Sequence, residues 1–284
     1  MEKEKIKKIC REIGVCPQKK LGQNFLISEK IAAEIVESAG LSQKDAVLEI
    51  GAGTGALTAF MVEKAGFVVA VEKDRRLSEF LNRRFKRYIE KKRINIINGD
   101  ILSSAVLEKA LSLFKGWKGY KIVSSLPYSS ASLIIQRLLS VEDRPKEMFL
   151  VVQKELADKI CASPPKASKL SILVKTQAEA TLIFKIRPSV FWPKPKVDSA
   201  LLRLAPLNRP LSLSSLFLTF LDAGFSQPRK QLAGLLSKNL GVEKDKIALW
   251  LRKNRIPLRA RPQNLYLKQW ISLFNSFLID KKKL

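Results

Sequence analysis

The stretch VLEIGAGTGALT, residues 47–58, runs from an apolar, β-prone segment through three glycines into a helical pattern. Glycine accepts the left-handed backbone conformation and lets a ligand approach the main chain closely. The spacing is GxGxG, which differs from the GxGxxG of dinucleotide-binding folds, and no lysine follows as a P-loop requires. The turn therefore indicates a ligand site between a strand and a helix, although tight turns also use glycine for steric reasons alone.

Apolar β-prone runs alternate with helical patterns between about residues 28 and 160, which is typical of a parallel sheet covered by helices. The predicted strands are 46–50, 67–72, 94–99, 120–125 and 147–153. Two further strand-like runs follow at 180–186 and 197–204, and their short connection predicts an antiparallel pair at a sheet edge. The expected fold is α/β, a Rossmann-like, mostly parallel sheet with an antiparallel edge pair.

The pattern after about residue 210 is helical, strongly basic and free of strand signals. We therefore expect two domains, a catalytic domain over residues 1–205 and a small all-helical domain over residues 206–284. The catalytic domain begins with a short basic amphipathic helix, and its SPPKASK segment (163–169) has the composition of an exposed loop.

Lysine and arginine number 52 against 26 aspartate and glutamate, for a formal net charge of +26. Such an excess favours a polyanionic partner, and its spread along the whole chain favours nucleic acid over a membrane. No apolar run approaches the length of a membrane span, and the N-terminus lacks the apolar core of a signal peptide. These features predict a cytoplasmic protein.

The chain contains no histidine, which excludes histidine-based nucleophilic, acid–base and metal chemistry. Its three cysteines, Cys10, Cys16 and Cys161, have no metal-ligand spacing and suit a reducing compartment. We therefore expect no metal site.

Polar residues follow three of the predicted parallel strands at their carboxyl ends, where ligands of open α/β sheets bind. Gly51 and Gly53 follow the first strand, and Glu72 ends the second, where a carboxylate can accept the hydroxyl hydrogens of a ribose. Asp100 and Ile101 follow the third, where they can hold an adenine ring. Agreement among three strand ends predicts an adenosine-bearing cofactor.

The segments QNFL (23–26), EIGAGTG (49–55), VEKD (71–74), NGDI (98–101) and LPY (126–128) resemble those of class I S-adenosylmethionine-dependent methyltransferases. More narrowly, KKLGQNFL (19–26), FWPKPKVDSALLRL (191–204) and FSQPRKQL (225–232) are similar to the ribosomal RNA adenine N6,N6-dimethyltransferase family. The resemblance covers about residues 15–275. It implies S-adenosylmethionine as cofactor, with contacts from Gln23, Asn24, Leu26, Gly51, Gly53, Glu72, Asp100, Ile101 and Ser125.

The segment IVSSLPYSS (122–130) corresponds in this resemblance to the catalytic turn, with Ser125, Leu126 and Tyr128 as the catalytic residues. A polar side chain and a nearby main-chain carbonyl would hold the target amino group, and Tyr128 would stack on the flipped-out adenine. Ser125 stands where the family has asparagine, but a hydroxyl can still accept a hydrogen bond. Phe191 is a candidate for the opposite face of the base, with a core position equally open.

The basic residues of the helical domain are the expected phosphate contacts. We expect about half of this set to touch RNA and the others to be solvated: Arg229, Lys230, Arg252, Lys253, Arg255, Arg259 and Arg261. RNA is favoured over DNA because unpaired loops present a base at the least energetic cost.

The expected function is dimethylation of two adjacent adenosines in the 3′-terminal hairpin loop of small-subunit (16S) rRNA, with the immature 30S subunit as partner and a monomer as the default state. Two alternatives remain open. One is the related large-subunit rRNA adenine methyltransferase of the macrolide-resistance type. The other is a catalytically weak ribosome-assembly factor, suggested by Ser125.

Overall fold

The structure, a computed structural model, describes residues 3–17, 23–211 and 214–281. It divides into two compact units. The first, here called the sheet unit, runs to Ala157 and includes Thr181–Pro206. The second, the helical unit, combines Asp158–Ala180 with the chain from Leu207 onwards.

The main sheet has seven strands in the order β4-β3-β2-β5-β6-β9-β7. Their bounds are β2 Ala46–Ile50, β3 Phe67–Glu72, β4 Ile94–Asn98, β5 Tyr120–Ser125, β6 Met148–Gln153, β7 Ala178–Ile186 and β9 Ser199–Pro206. The strands from β4 to β6 pair in parallel, whereas β9 pairs antiparallel with β6. The expected mostly parallel sheet with an antiparallel edge is confirmed.

The central strands form because nearly every side chain in them is apolar and enclosed. All five residues of β2 are buried, as are the first five of β6. Strands covered on both faces require such continuous apolar runs, whereas a half-exposed strand would alternate. This is why apolar runs marked the central strands to within one residue.

In the described part of the sheet unit, eight helices connect or flank the strands: α1 Lys3–Glu12, α2 Glu29–Ser38, α3 Thr58–Lys64, α4 Arg75–Arg84, α5 Lys86–Glu90, α6 Ser104–Ser112, α7 Ala131–Leu139 and α8 Lys154–Cys161, the last of which continues into the helical unit. Side-chain caps start two of them. The Ser28 hydroxyl accepts from the main-chain N–H of Ile31, and the Asp74 carboxylate accepts from those of Arg76 and Leu77.

A second, two-stranded sheet was not predicted from the sequence. In it, β1 (Phe25–Leu26) pairs antiparallel with β8 (Phe191–Trp192). The QNFL and FWPKPK segments, 165 residues apart by number, are therefore neighbours. Two-residue strands leave no periodicity in a sequence, so only the folded chain reveals this pairing.

The N-terminal helix α1 packs its apolar side chains against the sheet unit, as its amphipathic pattern predicted. Ile6, Cys10 and Val15 form a small buried cluster with Phe25 and Leu77. Phe25 begins β1, and Leu77 lies in the first turn of α4. The helix thereby supports residues that border the pocket described below.

The helical unit is built around aromatic side chains. Its remaining helices are α9 Lys169–Lys175, α10 Ser215–Phe225, α11 Leu232–Leu240, α12 Lys244–Lys253 and α13 Leu267–Lys281. Trp270 is fully buried and stacks on Phe225 with ring centroids 5.0 Å apart. A Cβ atom at Gly224 would lie 2.5 Å from Trp270, so a glycine within α10 lets this ring pack closely.

Residues 158–180 depart from the expected domain division. They were assigned to the catalytic domain, but Ala167 and Ile172 belong to the aromatic core of the helical unit. The SPPKASK loop is correspondingly tied down in part, because the Ala167 N–H donates to the carbonyl of Gln263 at 3.1 Å. Local composition does not reveal which distant core an apolar side chain joins.

The strand order places a ligand crevice in the sheet unit. Chain order reverses between β2 and β5, since β3 and β4 extend the sheet to one side and β6 to the other. In open α/β sheets, ligands bind beyond the carboxyl ends of the strands at such a reversal.

Candidate active site

A cavity of about 420 Å³ opens at the carboxyl ends of β2, β3, β4 and β5. Its volume is within the usual range for small-molecule and cofactor sites. Most of the predicted cofactor and catalytic residues line it: Gln23, Asn24, Gly51, Gly53, Glu72, Asp100, Ile101, Ser125, Leu126 and Tyr128. The sequence therefore identified residues that the fold brings into one pocket.

The glycine turn and Glu72 form one side of this pocket. Gly51 and Gly53 have φ angles of +70° and +58°, values that favour glycine. The buried Glu72 carboxylate accepts from the Gly53 N–H at 2.8 Å and from the Asp74 N–H at 2.9 Å. Burial raises the pKa of Glu72, while these two N–H donors oppose that shift. One carboxylate thus fixes two loops and faces the cavity.

Asp100 is held at the neighbouring strand end by an ion pair that the sequence did not indicate. Lys73 Nζ lies 2.8 Å from Asp100 Oδ2, and the Leu102 N–H donates to Asp100 Oδ1 at 3.0 Å. The hydrogen bond from Lys73, with that of Leu102, holds the pKa of Asp100 below its usual range. Asp100 is therefore an ionised acceptor at the rim of the pocket.

Glu49 lies buried in β2, two residues before Gly51. Thr58 Oγ1 donates to Glu49 Oε2 at 2.5 Å. Burial, together with the neighbouring Glu72 charge and against the lowering effect of Thr58, raises the pKa of Glu49 to about 8. Glu49 is consequently neutral near pH 7. Sequence reasoning missed it, although an acid in an otherwise apolar strand was the available signal.

The turn at residues 125–128, which the sequence predicts to be catalytic, follows β5 and faces the glycine turn. Ser125 lines the cavity, and its hydroxyl makes no hydrogen bond to another residue in the described part of the chain. The Leu126 N–H donates to the Val151 carbonyl at 3.0 Å, which ties the turn to β6. The turn thus presents an available hydroxyl on a fixed backbone.

The hydroxyl of Tyr128 is held by Ser199, a residue that the sequence did not indicate. The Tyr128 hydroxyl lies 2.5 Å from Ser199 Oγ, and Ser199 is fully buried at the start of β9. Burial raises the pKa of Tyr128, so the phenol is neutral. The ring therefore reaches the pocket while its hydroxyl is held by the sheet.

Ser124, the first of the two serines that end β5, joins this strand to β2 by hydrogen bonds with Ile50. Its Oγ donates to the Ile50 carbonyl at 2.5 Å and accepts from the Ile50 N–H at 3.2 Å, and it is fully buried. Main-chain pairing between β2 and β5 ends earlier, at Leu48 and Ile122. The serine hydroxyl replaces the missing strand partner where the two strands separate around the crevice.

Two predicted site residues lie elsewhere. Leu26 and Phe191 are 5% and 2% exposed, pair across β1 and β8, and belong to the main hydrophobic core. Neither lines the cavity. Phe191 takes the core position that its sequence left open, and its contact with RNA stays a prediction. The QNFL residues that line the cavity are Gln23, Asn24 and Phe25. The contact of Leu26 with the cofactor stays a prediction.

The lysines and arginines predicted to contact RNA all lie at the surface of the helical unit. Arg229 and Lys230 occupy the turn between α10 and α11, whereas Arg252 and Lys253 end α12 and Arg255 follows it. Every one is exposed. Within the described residues, no cluster of potential metal ligands occurs, and no helix is long and apolar enough to cross a membrane.

The fold and the pocket together define a class I methyltransferase, in which a glycine turn and acidic strand ends form a nucleoside site. A solved dimethyladenosine transferase from Plasmodium falciparum has the same fold, with a TM-score of 0.71 at 24% identity over 90% of this chain and 98% of that one.

The chain belongs to the ribosomal RNA adenine dimethylase family, whose model matches residues 17–278. A ribosomal RNA small subunit methyltransferase A from Caldanaerobacter subterraneus subsp. tengcongensis is 37% identical, covering 92% of this chain and 97% of its own length. The protein of that name from Listeria welshimeri is 35% identical, covering 97% and 95%. The chain is thus an rRNA adenine methyltransferase that uses S-adenosylmethionine.

Proposed function

We propose that this chain dimethylates the N6 amino groups of two adjacent adenosines in the 3′-terminal hairpin loop of small-subunit (16S) rRNA. Family membership supports the chemistry, and the names of the curated relatives support the small subunit. The observation that carries the proposal is the single pocket in which the nucleoside-binding residues adjoin Ser125 and Tyr128.

The residues of the pocket fit S-adenosylmethionine. A buried carboxylate, Glu72, can accept the ribose hydroxyls, and Asp100 can accept the adenine amino hydrogens. Gly51 allows the methionine part to pass close to the main chain. The bound cofactor supplies an electrophilic methyl group. The role of this chain is to hold that group in line with the target nitrogen.

Ser125 is the proposed acceptor for the target amino group. Adenine N6 is a poor nucleophile because its lone pair is delocalised into the ring. Two acceptors, the Ser125 hydroxyl and a main-chain carbonyl of the catalytic turn at Leu126, would draw the nitrogen towards tetrahedral geometry. Positioning of this kind supplies up to roughly 7–11 kcal/mol. The methylated nitrogen is acidic enough to release its proton to water without a histidine.

Tyr128 is the proposed stacking partner for the flipped adenine. Stacking contributes roughly 1–3 kcal/mol per base, and a ring held by Ser199 has less freedom to lose when the base arrives. Arg229, Lys230, Arg252, Lys253 and Arg255 are the proposed phosphate contacts of the helical unit. The proposed partner is the immature 30S subunit in the cytoplasm, bound by a monomer.

The test is methyl transfer to immature 30S subunits that lack the loop methyl groups, followed by mass spectrometry of the rRNA nucleosides. Dimethyladenosine at the two adjacent loop positions is the expected product. A parallel reaction contains unmethylated 23S rRNA, and methylation of that RNA alone would instead assign the chain to the large-subunit type, which the relatives' names do not favour.

A second candidate function rests on Ser125. Serine is shorter than the family's asparagine, and a misplaced acceptor would leave a binding protein that assists assembly with little catalysis. In that case the subunits and the cofactor would bind normally while no methylated nucleoside appeared. Recovery of product in Ser125→Asn would then locate the defect at this side chain.

A further inference from the structure

The hairpin formed by α4 and α5 carries a dense positive charge that the proposed site does not use. Residues 75–93 include nine lysines and arginines against two glutamates. Seven of these cations are exposed, and the five that follow position 82 form what we call the α4–α5 basic face: Arg83, Lys86, Arg87, Lys91 and Lys92.

The face is built by regular packing. Phe85 is buried in the main core and Tyr88 and Ile89 pack against it, so positions 83, 86, 87 and 91 are left on the solvent side. Residues spaced by three or four along a helical backbone are neighbours. The cations therefore form one surface.

Among the described residues, few of the lysines and arginines in residues 75–93 form ion pairs. Arg75 pairs with Glu79, and Lys86 lies 3.9 Å from Glu90. Arg83, Arg87, Lys91 and Lys92 make no ion pair with another described residue. Cations near a helix C-terminus stabilise the helix dipole, which accounts for one or two of the charges but not for the whole face.

The position of the face separates it from the catalytic pocket. Lys91 and Lys92 come just before β4, whereas Asp100 comes just after it and lines the cavity. Five strand residues span roughly 17 Å. The face therefore lies near the amino ends of the parallel strands, whereas the target base would enter at their carboxyl ends.

We propose that the α4–α5 basic face binds the phosphate backbone of an RNA segment away from the target adenine. This proposal rests on the rRNA substrate and adds a second contact within the same subunit. Clustered, unpaired lysines and arginines are the groups that bind phosphates by releasing counterions, without reading sequence. The face thus supplies affinity and orientation rather than recognition of the methylated loop.

The test compares two matched triple variants. Arg83→Gln/Arg87→Gln/Lys91→Gln removes three charges from the face. Lys109→Gln/Lys115→Gln/Lys118→Gln removes three exposed charges around α6, which right-handed crossovers place on the other side of the sheet. Two quantities are measured: affinity for a 20-base-pair RNA duplex over a range of salt concentrations, and steady-state methylation of immature 30S subunits.

The face variant should bind the duplex about tenfold or more weakly at 150 mM salt. Its slope of log affinity against log salt should be smaller by about 2–3, since each phosphate contact contributes about 0.9 in duplex DNA. Its KM for the subunits should rise about tenfold with kcat unchanged, whereas the α6 control should change less than threefold.

Equal losses in both triple variants, or no loss in the face variant, would overturn the proposal, as would a fall in kcat with unchanged affinity. The duplex measurement does not depend on methylation, so it separates failure of this proposal from failure of the proposed function.

Discussion

At the scale of single residues, the pocket depends on side chains whose partners are fixed. Glu72 joins the glycine turn to the start of α4, and Ser199 holds the hydroxyl of Tyr128. Ser125 differs from them because its hydroxyl has no hydrogen-bond partner among the described residues. The site therefore combines rigid supporting groups with one free acceptor at the proposed reacting centre.

Ser125→Asn is expected to raise the rate of the second methyl transfer. The longer amide places its oxygen nearer the position that an asparagine-bearing relative would use, and it should hold the bulkier monomethylated amino group better. The ratio of dimethyladenosine to monomethyladenosine over a time course is the measurement. Ser129→Asn, four residues further on in the same turn region, serves as the control. A lower ratio in Ser125→Asn than in the parent chain would contradict the assigned role.

Glu49→Gln is expected to flatten the pH dependence of stability. The raised pKa of Glu49, about 8, means that the folded state keeps a proton that the unfolded state loses above about 4.5. The free energy of unfolding should therefore fall as the pH rises from about 4.5 to 8. Glutamine can still accept from Thr58 without this penalty.

Urea unfolding at pH 5, 6, 7 and 8 measures the effect, with the exposed Glu108→Gln as control. Glu49→Gln should become more stable than the parent chain towards pH 8. Parallel curves for the two proteins across this range would show that Glu49 ionises normally in the fold.

At the scale of elements, the strands of the main sheet could be predicted from the sequence, but several contacts between distant segments could not. Apolar runs fixed β2, β3 and β5 because both faces of each are covered. The pairing of β1 with β8 and the placement of 158–180 in the helical unit depend on contacts distant in the sequence. The core positions of Leu26 and Phe191 were not readable for the same reason, since a motif does not reveal which of its side chains face the core.

The cofactor side of the pocket was predicted more completely than its supports. Acidic residues at strand ends can be found in a sequence because the end of an apolar run marks the end of a strand. Lys73, Ser124 and Ser199 act through partners 27, 74 and 71 residues away, respectively, and no local pattern marks them.

Ser124→Ala is expected to destabilise the junction of β2 and β5. It removes the hydroxyl that satisfies both the N–H and the carbonyl of Ile50, and an unsatisfied buried polar group costs about 1–3 kcal/mol. The free energy of unfolding should fall by about that amount in denaturant titrations. Ser103→Ala, an exposed serine without a side-chain capping bond, should change it by less than about 0.5 kcal/mol. Equal stability of the two variants would show that the hydrogen bonds between Ser124 and Ile50 do not stabilise the junction.

At the scale of the whole molecule, the net charge of +26 is the feature that most directly connects composition with partner. Binding to rRNA should weaken steeply with salt because each phosphate contact releases counterions. The position of each cation decides whether it can contact a phosphate. In the helical unit, the proposed contacts lie in the turn after α10 and at the end of α12.

Arg252→Gln/Lys253→Gln/Arg255→Gln is expected to weaken binding to immature 30S subunits about tenfold or more and to reduce the salt slope. The matched control is Lys238→Gln/Lys244→Gln/Lys268→Gln, which removes three exposed charges from the same unit. Filter binding at several salt concentrations measures both. If the two sets lost affinity equally, the contact would be diffuse rather than local.

Single-turnover methyl transfer at saturating S-adenosylmethionine, comparing the parent chain with Tyr128→Ala, tests most directly whether the target adenine is held in this pocket. We predict a rate about 10- to 100-fold slower in the variant, in proportion to the stacking energy of one base, with unchanged affinity for the cofactor. Equal rates in the two proteins would contradict this prediction, because the adenine would then be held somewhere other than this pocket.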